Sequence, residues 1–277
     1  MRIALVGLGT TGKVVAEYLY QQQALTLVFC RENSPDAGRD LGEVLHRPYM
    51  GITIESTENL EDKLKTYKPD VLIDFSSPKF LRENLVTLAK YNVHVVTAVT
   101  DYSQMDKKRM KVMTRKGRIG VVLAPNITLG VNVVLKLAAQ IASVLHSGYD
   151  YQVIEENHRN KKDSPSGTAE KLAVAIKHVL EKVRDTNHDI PIHSIRAGDM
   201  IGRHKVLVCG EYDQIEITHT AFSRTAYAEG AFKAAQFIFG RKGLYGMKDV
   251  YGLGGKGYLQ EPLKMEPEEK EPVGVYA

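Results

Sequence analysis

The residues best equipped for chemistry stand within a dozen positions of one another. They are His158, Lys161 and the run Ser166-Gly167-Thr168, all inside Glu155–Ala169. An imidazole exchanges protons near neutral pH, an ammonium is a compact cation with donors, and a Ser or Thr can cap the start of a helix. A capped helix start presents backbone N–H groups to an anion. Pro165 fixes its φ and Gly167 permits angles that other residues avoid, so the chain turns there before a helix predicted from Ala169. Either Ser166 or Thr168 can act as the cap. The combination suits a small dianionic substrate held beside a proton-bearing group. A solvated polar loop also carries such residues. The order His, Lys, then Pro-Ser-Gly-Thr, in a chain with a dinucleotide fingerprint, favours the functional reading.

That fingerprint is Gly7-Leu8-Gly9-Thr10-Thr11-Gly12, between an apolar strand Arg2–Val6 and an amphipathic helix of about Lys13–Gln22. In strand–turn–helix context, Gly7 makes the tight turn, Gly9 lets the backbone approach a pyrophosphate, and Gly12 lets helix pack on strand. The next strand, about Leu25–Phe29, runs into Cys30-Arg31-Glu32. If the strand ends at Cys30, Arg31 is placed for a 2′-phosphate; in a register two residues longer, Glu32 takes the ribose hydroxyls. NADP(H) is the preferred cofactor on this reading, with NAD(H) possible.

The elements that must position these groups follow from periodicity. Strands are predicted at Val71–Phe75, Val93–Thr97 and Arg118–Leu123, and helices at Phe80–Tyr91, Ser103–Lys116 and Val133–His146. Strand and helix alternate to about Asn126, the pattern of a doubly wound parallel sheet. Beyond it, strands at Tyr151–Glu155, Ile192–Arg196, His204–Gly210 and Gln214–Ala221, with helices at Ala169–Val183 and Tyr227–Phe239, describe an α+β unit with an open, partly antiparallel sheet. From Glu261 the tail carries Pro262, Pro267 and Pro272 among charged residues and is expected to be mobile or draped on the surface.

Composition narrows the classes. With 277 residues and 43% hydrophobic content, the chain is long enough for two domains. A net charge of +4 without a basic, aromatic-rich patch argues against nucleic acid. No apolar run approaches the roughly 20 residues of a membrane helix. Met1–Gly7 runs straight into the glycine motif, too short for a signal peptide. Cys30 and Cys209 lie far apart, so free thiols in a reducing cytoplasm are expected, and no metal site.

The stretch Glu155–Ala169 is similar to the motif Glu-x-His-His-x-x-Lys-x-Asp-x-Pro-Ser-Gly-Thr-Ala of the 4-hydroxy-tetrahydrodipicolinate reductases (dihydrodipicolinate reductases) of lysine and diaminopimelate synthesis. Asp74-Phe75-Ser76-Ser77-Pro78, Ala124–Asn132, Arg196-Ala197-Gly198-Asp199 with Gly202 and His204, and Ile217–Arg224 also resemble that family, in the same order. The likeness covers about Arg2–Leu253. It implies an α/β Rossmann dinucleotide-binding domain of residues 1–126 and 240–277. It also implies an α+β domain of residues 127–239, with a mixed sheet, that binds substrate and builds a homotetramer. It places cofactor contacts at Gly7, Gly9, Thr11, Gly12, Arg31, Phe75, Ala98, Thr100, Ala124, Asn126 and Ile127. Contacts to a cyclic dicarboxylate fall at His158, Lys161, Ser166, Gly167 and Thr168.

The chain departs from the family pattern in three places. Asn157 stands where the family has the first of its paired histidines, assigned as proton donor, and an amide cannot exchange a proton near neutral pH. Ala98-Val99-Thr100-Asp101 replaces a Gly-Thr-Thr-Gly loop, and Ile127 stands where an aromatic often packs. The implied reaction is hydride transfer from NADPH to an imine-conjugated carbon, with hydroxide leaving as water. Lys161 or a water is then the candidate donor, His158 a carboxylate partner, and Asn157 a group that orients water or substrate. Two other readings stay open: a related dehydrogenase of amino or imino acids, and a cofactor-binding protein impaired in catalysis.

Overall fold

The computed structural model describes residues 1–115, 118–184 and 189–254. Its strands are β1 (Ile3–Val6), β2 (Leu25–Cys30), β3 (Ile54–Ser56), β4 (Val71–Asp74), β5 (His94–Thr97), β6 (Gly120–Leu123), β7 (Asp150–Asn157), β8 (Ile192–Arg196), β9 (Gly202–Cys209), β10 (Gln214–Ala221) and β11 (Gly243–Gly246). Its helices are α1 (Thr10–Gln21), α2 (Leu41–Leu45), α3 (Leu60–Tyr67), α4 (Pro78–Lys90), α5 (Gln104–Arg115), α6 (Leu129–Val144), α7 (Gly167–Arg184), α8 (Thr225–Ile238) and α9 (Met247–Val250).

Seven strands form one sheet in the order β11-β6-β5-β4-β1-β2-β3, and every pairing is parallel. Alternate residues of its central strands feed two cores, as a sheet covered on both faces requires. Ile3, Leu5, Val28 and Ile73 pack with α1, α2 and α8. Ala4, Val6, Leu27 and Leu72 pack with α3, α4 and α5. The chain winds outwards from β1 to β3, then returns to place β4 on the other side of β1. Such a switch point opens a crevice at the carboxyl ends of the two strands.

Two features of this sheet were not anticipated. First, α8 packs in its core: Ala228, Ala231, Ala234, Ala235 and Ile238 are fully buried there. The division at 127–239 counts that helix with the second sheet. Second, α2, β3 and α3 fill a stretch to which no element was assigned. Both α2 and β3 are too short to show a period. Their connection is organised by the Asp40 carboxylate, which accepts from the backbone N–H groups of Gly42 (2.8 Å), Met50 (2.9 Å) and Ile52 (3.0 Å).

The second sheet is mixed, in the order β10-β9-β7-β8, with β7 and β8 parallel and the other pairs antiparallel. One face packs on α6 and α7 through Tyr151, Val153, Val206, Val208, Leu172 and Ile176. Its other face has no helix over it among the described residues and carries Ile154 and the ion pairs Arg203–Glu156 (3.2 Å) and Lys205–Glu216 (3.0 Å). Strand β7 runs past the expected end to Asn157. Period two therefore turns Glu155 and Asn157 inward with Tyr151 and Val153, and all four are buried. The tail from Glu261 and residue Lys116 lie outside the described residues. No helix is long and apolar enough to cross a membrane, among the described residues.

Candidate active site

The first half of the site lies at the switch point. Gly7 has φ +96°, and a Cβ there would stand 2.6 Å from Phe75 O, so β1 can turn beside the β4 loop only with glycine. A Cβ on Gly12 would collide with Gly7 O. At Gly9, the N-cap of α1, a Cβ would meet nothing within 4 Å: the backbone faces open space. Helix α1 has no side-chain cap and no acidic residue in its first turn. Its first N–H groups are free to take an anion, so these residues fit the pyrophosphate of a dinucleotide. Beyond them Phe75–Pro78 and Ala98–Asp101 line a cleft of about 330 Å³ at the ends of β4 and β5. Strand β2 ends at Cys30. Arg31 and Glu32 follow it, both exposed.

The second half is built on Glu155. Its side chain has no exposed surface. Oε1 accepts from Ser166 N (2.9 Å), Ser194 Oγ (2.7 Å) and Arg196 Nη2 (2.7 Å), and Oε2 from Asn157 Nδ2 (3.2 Å). Burial alone would push this carboxyl up, but the donors of Ser166, Arg196 and Ser194 outweigh it and hold it down to about 2. Arg196 Nη2 also donates to Asp163 O (2.6 Å), and Arg159 N to Gly198 O (3.0 Å), so the loop from His158 to Pro165 is tied to the end of β8. His204, on β9, is paired with Glu155 of β7, with Nε2 3.4 Å from Ser166 Oγ and 3.8 Å from Glu155 Oε2. Burial drives the imidazole down to about 4 against the pull of Glu155, which leaves it neutral at physiological pH.

This base presents the start of α7. Ser166 is the cap: its Oγ accepts from Ala169 N (3.3 Å) and its carbonyl from Glu170 N (3.0 Å). Thr168 does not cap. Its Oγ1 donates to Asn126 Oδ1 (3.1 Å), in the turn that follows β6. The carboxyl edge of the first sheet and the helix start on the second therefore share a hydrogen bond. Lys161 Nζ pairs with Asp163 Oδ1 at 2.7 Å and keeps 26% of its side-chain surface exposed. His158 is half-buried, and its carbonyl accepts Lys161 N (3.0 Å). The loop and the helix start that follows it carry an imidazole, an ammonium and the first N–H groups of α7.

Two family descriptions divide the chain between them: "Dihydrodipicolinate reductase, N-terminus" matches residues 1–127, and "Dihydrodipicolinate reductase, C-terminus" matches residues 130–251. The chain belongs to the dihydrodipicolinate reductase family. It is 37% identical over 270 residues to the 4-hydroxy-tetrahydrodipicolinate reductase of Bordetella pertussis, covering 91% of this chain and 97% of that one. Against the enzyme of the same name from Methanocaldococcus jannaschii, identity is 33% over 269 residues, covering 91% and 98%. A dipicolinate-bound dihydrodipicolinate reductase from Paenisporosarcina sp. TG-14 superposes with a TM-score of 0.73 at 26% identity, covering 90% of this chain and 99% of that one. An amine dehydrogenase from Mycobacterium smegmatis, at TM-score 0.62 and 12% identity, shares the fold alone.

In this member of the reductase family the expected residues separate into groups. Gly7, Gly9, Thr11 and Gly12 lie at the start of α1, and Phe75, Ala98 and Thr100 lie in the cleft beside it. Arg31 stands apart, at the end of β2. Ala124 and Ile127, expected at the cofactor, have their side chains in the core. Ala124 is fully buried with its N–H on Thr97 O, and Ile127 is 2% exposed with its carbonyl on Tyr251 OH (2.9 Å). Both side chains belong to the core of the first sheet, so only their backbone faces the turn after β6. Asn157 is 4% exposed, and its amide donates to Glu155. The residues not anticipated are Glu155, Ser194 and Arg196 as a buried polar base. The alternation of the expected strand Tyr151–Glu155 carries the signal: a carboxylate on an inward position demands partners.

Proposed function

We propose that this reductase-family chain reduces 4-hydroxy-tetrahydrodipicolinate to tetrahydrodipicolinate with NADPH preferred over NADH. The observation that carries the reading is the Thr168–Asn126 hydrogen bond, which puts the helix start of one domain against the nucleotide edge of the other. When bound, the nicotinamide supplies the hydride. Gly7, Gly9, Thr11 and Gly12 hold the pyrophosphate, and Phe75, Ala98 and Thr100 border the nicotinamide end. Arg31 takes the 2′-phosphate, supported by the end of β2 at Cys30.

One substrate carboxylate docks on the N–H groups of Gly167 and Thr168 above the Ser166 cap, and His158 receives the other. Lys161 leaves Asp163 for the substrate as the dianion enters, because two carboxylates offer it more than one exposed one. As hydride reaches the ring carbon, the departing hydroxide takes a proton and leaves as water. Lys161 Nζ donates that proton, directly or through a water. Asn157 has no such proton; it positions Glu155 and through it Ser166. The subunits assemble as a homotetramer through the helix-free face of the four-stranded sheet, in the cytoplasm, a reading that the free thiols of Cys30 and Cys209 support.

The test is Lys161→Ala, assayed by NADPH oxidation with hydroxy-tetrahydrodipicolinate. We expect kcat to fall about a hundredfold or more, the range of a lost proton donor, with NADPH affinity unchanged. Equal loss of turnover and cofactor binding, or no loss, removes Lys161 from this role.

A further inference from the structure

We propose that Asp74 is a positioning residue of the nucleotide cleft, its buried carboxyl locking together the loops that follow β4 and β5. The proposal rests on the reading of that cleft as the cofactor site. Asp74 ends β4 and is fully buried, as is Thr97, which ends β5 beside it. Asp74 Oδ1 accepts from Ser76 N (2.8 Å) and Ser76 Oγ (2.6 Å), which fixes the turn into Ser77-Pro78. Oδ2 faces Thr97 Oγ1 (3.1 Å) and Tyr102 OH (3.1 Å), and those two hydroxyls stand 2.9 Å from each other. Thr97 Oγ1 accepts from Val99 N (3.3 Å), and Asp74 O from Ala98 N (2.9 Å). One side chain thus holds Ser76 on one side of the cleft and, on the other, meets Tyr102 directly and Val99 through Thr97 Oγ1, while the Asp74 backbone carbonyl takes Ala98 N.

No cation pairs with Asp74 among the described residues, so the carboxyl sits in the core without the partner that normally offsets such burial. A packing role alone would be met by an apolar side chain beside Leu72 and Val95. What Asp74 adds is directed hydrogen bonding to two loops that otherwise have few buried contacts. The three oxygens Oδ2, Thr97 Oγ1 and Tyr102 OH form a closed triangle, and the two hydroxyls can supply protons to only two of its edges. A proton on Asp74 supplies the third, in line with the upward push of burial on its carboxyl. The group then works by hydrogen-bond geometry and not by charge, and an amide can take its place.

Four variants of the full chain test this: Asp74→Ala, Asp74→Asn, Tyr102→Phe and Ala98→Trp. The readouts are NADPH affinity by fluorescence titration and steady-state KM and kcat for both substrates. Asp74→Ala is expected to weaken NADPH about tenfold or more, the factor for about one lost net hydrogen bond, with the KM for the dicarboxylate unchanged. Asp74→Asn is expected to recover most of that loss, and Tyr102→Phe, which keeps the ring's volume, to weaken NADPH by about threefold. Amide hydrogen exchange at Ser76 and Val99 is expected to quicken in Tyr102→Phe. The proposal is overturned if Tyr102→Phe and Asp74→Ala bind NADPH like the parent, or if both KM values rise together, as general loosening would cause. Ala98→Trp separates this from the cofactor reading. If it leaves NADPH binding intact, the cleft is not the cofactor site; if it blocks binding while the Asp74 and Tyr102 variants do nothing, only the positioning role fails.

Discussion

Glu155→Gln removes one charge and almost no volume from the base of the substrate cradle. In the folded chain the carboxyl is held at about 2, against an ordinary value of 4.5. A depression of about 2.5 units at about 1.4 kcal/mol each amounts to about 3 kcal/mol of stability near neutral pH. That matches the several kcal/mol expected when one partner of a buried ion pair, here Arg196, is left without the other. The sign follows from the direction of the shift. The unfolded chain binds the proton first, so the contribution is complete above about pH 5 and fades as pH falls towards 2. By about pH 4 the advantage over the Gln variant should have shrunk by about 0.8 kcal/mol. The assay is paired denaturant unfolding of parent and variant near pH 7 and pH 4, followed by circular dichroism. The KM for the dicarboxylate should also rise about tenfold, because Ser166 N loses an anionic acceptor, while NADPH affinity stays. A variant as stable as the parent near pH 7, or one destabilised equally at both pH values, refutes the reasoning.

Other perturbations probe the remaining parts. Arg31→Ala should weaken NADPH by about tenfold or more and leave NADH nearly unchanged, since only one of them carries the 2′-phosphate; equal effects on both would assign the ribose to Glu32 or another group. Gly12→Ala puts a Cβ against Gly7 O, so the turn must shift. We expect a loss of about 1–3 kcal/mol in stability and a larger loss in cofactor affinity, measured by thermal melts with and without NADPH, and an unchanged NADPH-induced shift would contradict that account of the turn.

How much of this was legible in the residues varies with the kind of signal. The strand Ile3–Val6, the glycine fingerprint and the helix behind it could be read because each glycine answers a local steric demand. The alternation from Val71 to Leu123 could be read because buried parallel strands are continuous apolar runs. The segment around α2 and β3 could not, because its shape comes from one carboxylate, Asp40, and not from a period. Asn157 was hidden by the loop that follows it: Pro165 and Gly167 announce a turn, and the polar residues before them look like its approach. Glu155 closed the expected strand, and pairing with β8 and β9 shows the strand running on to Asn157 with both residues facing inward. The burial of the Ile127 and Ala124 side chains was not legible either, since a motif position near a ligand site does not say which side of the backbone carries the side chain.

The most direct measurement of the central claim is a single turnover with NADPH carrying deuterium at the transferable C4 position. The account predicts that adding hydroxy-tetrahydrodipicolinate consumes one equivalent of NADPH and moves the label into the ring of tetrahydrodipicolinate, and that Lys161→Ala slows this step without releasing the cofactor. A chain that binds NADPH and the dicarboxylate together yet leaves the label where it was contradicts it.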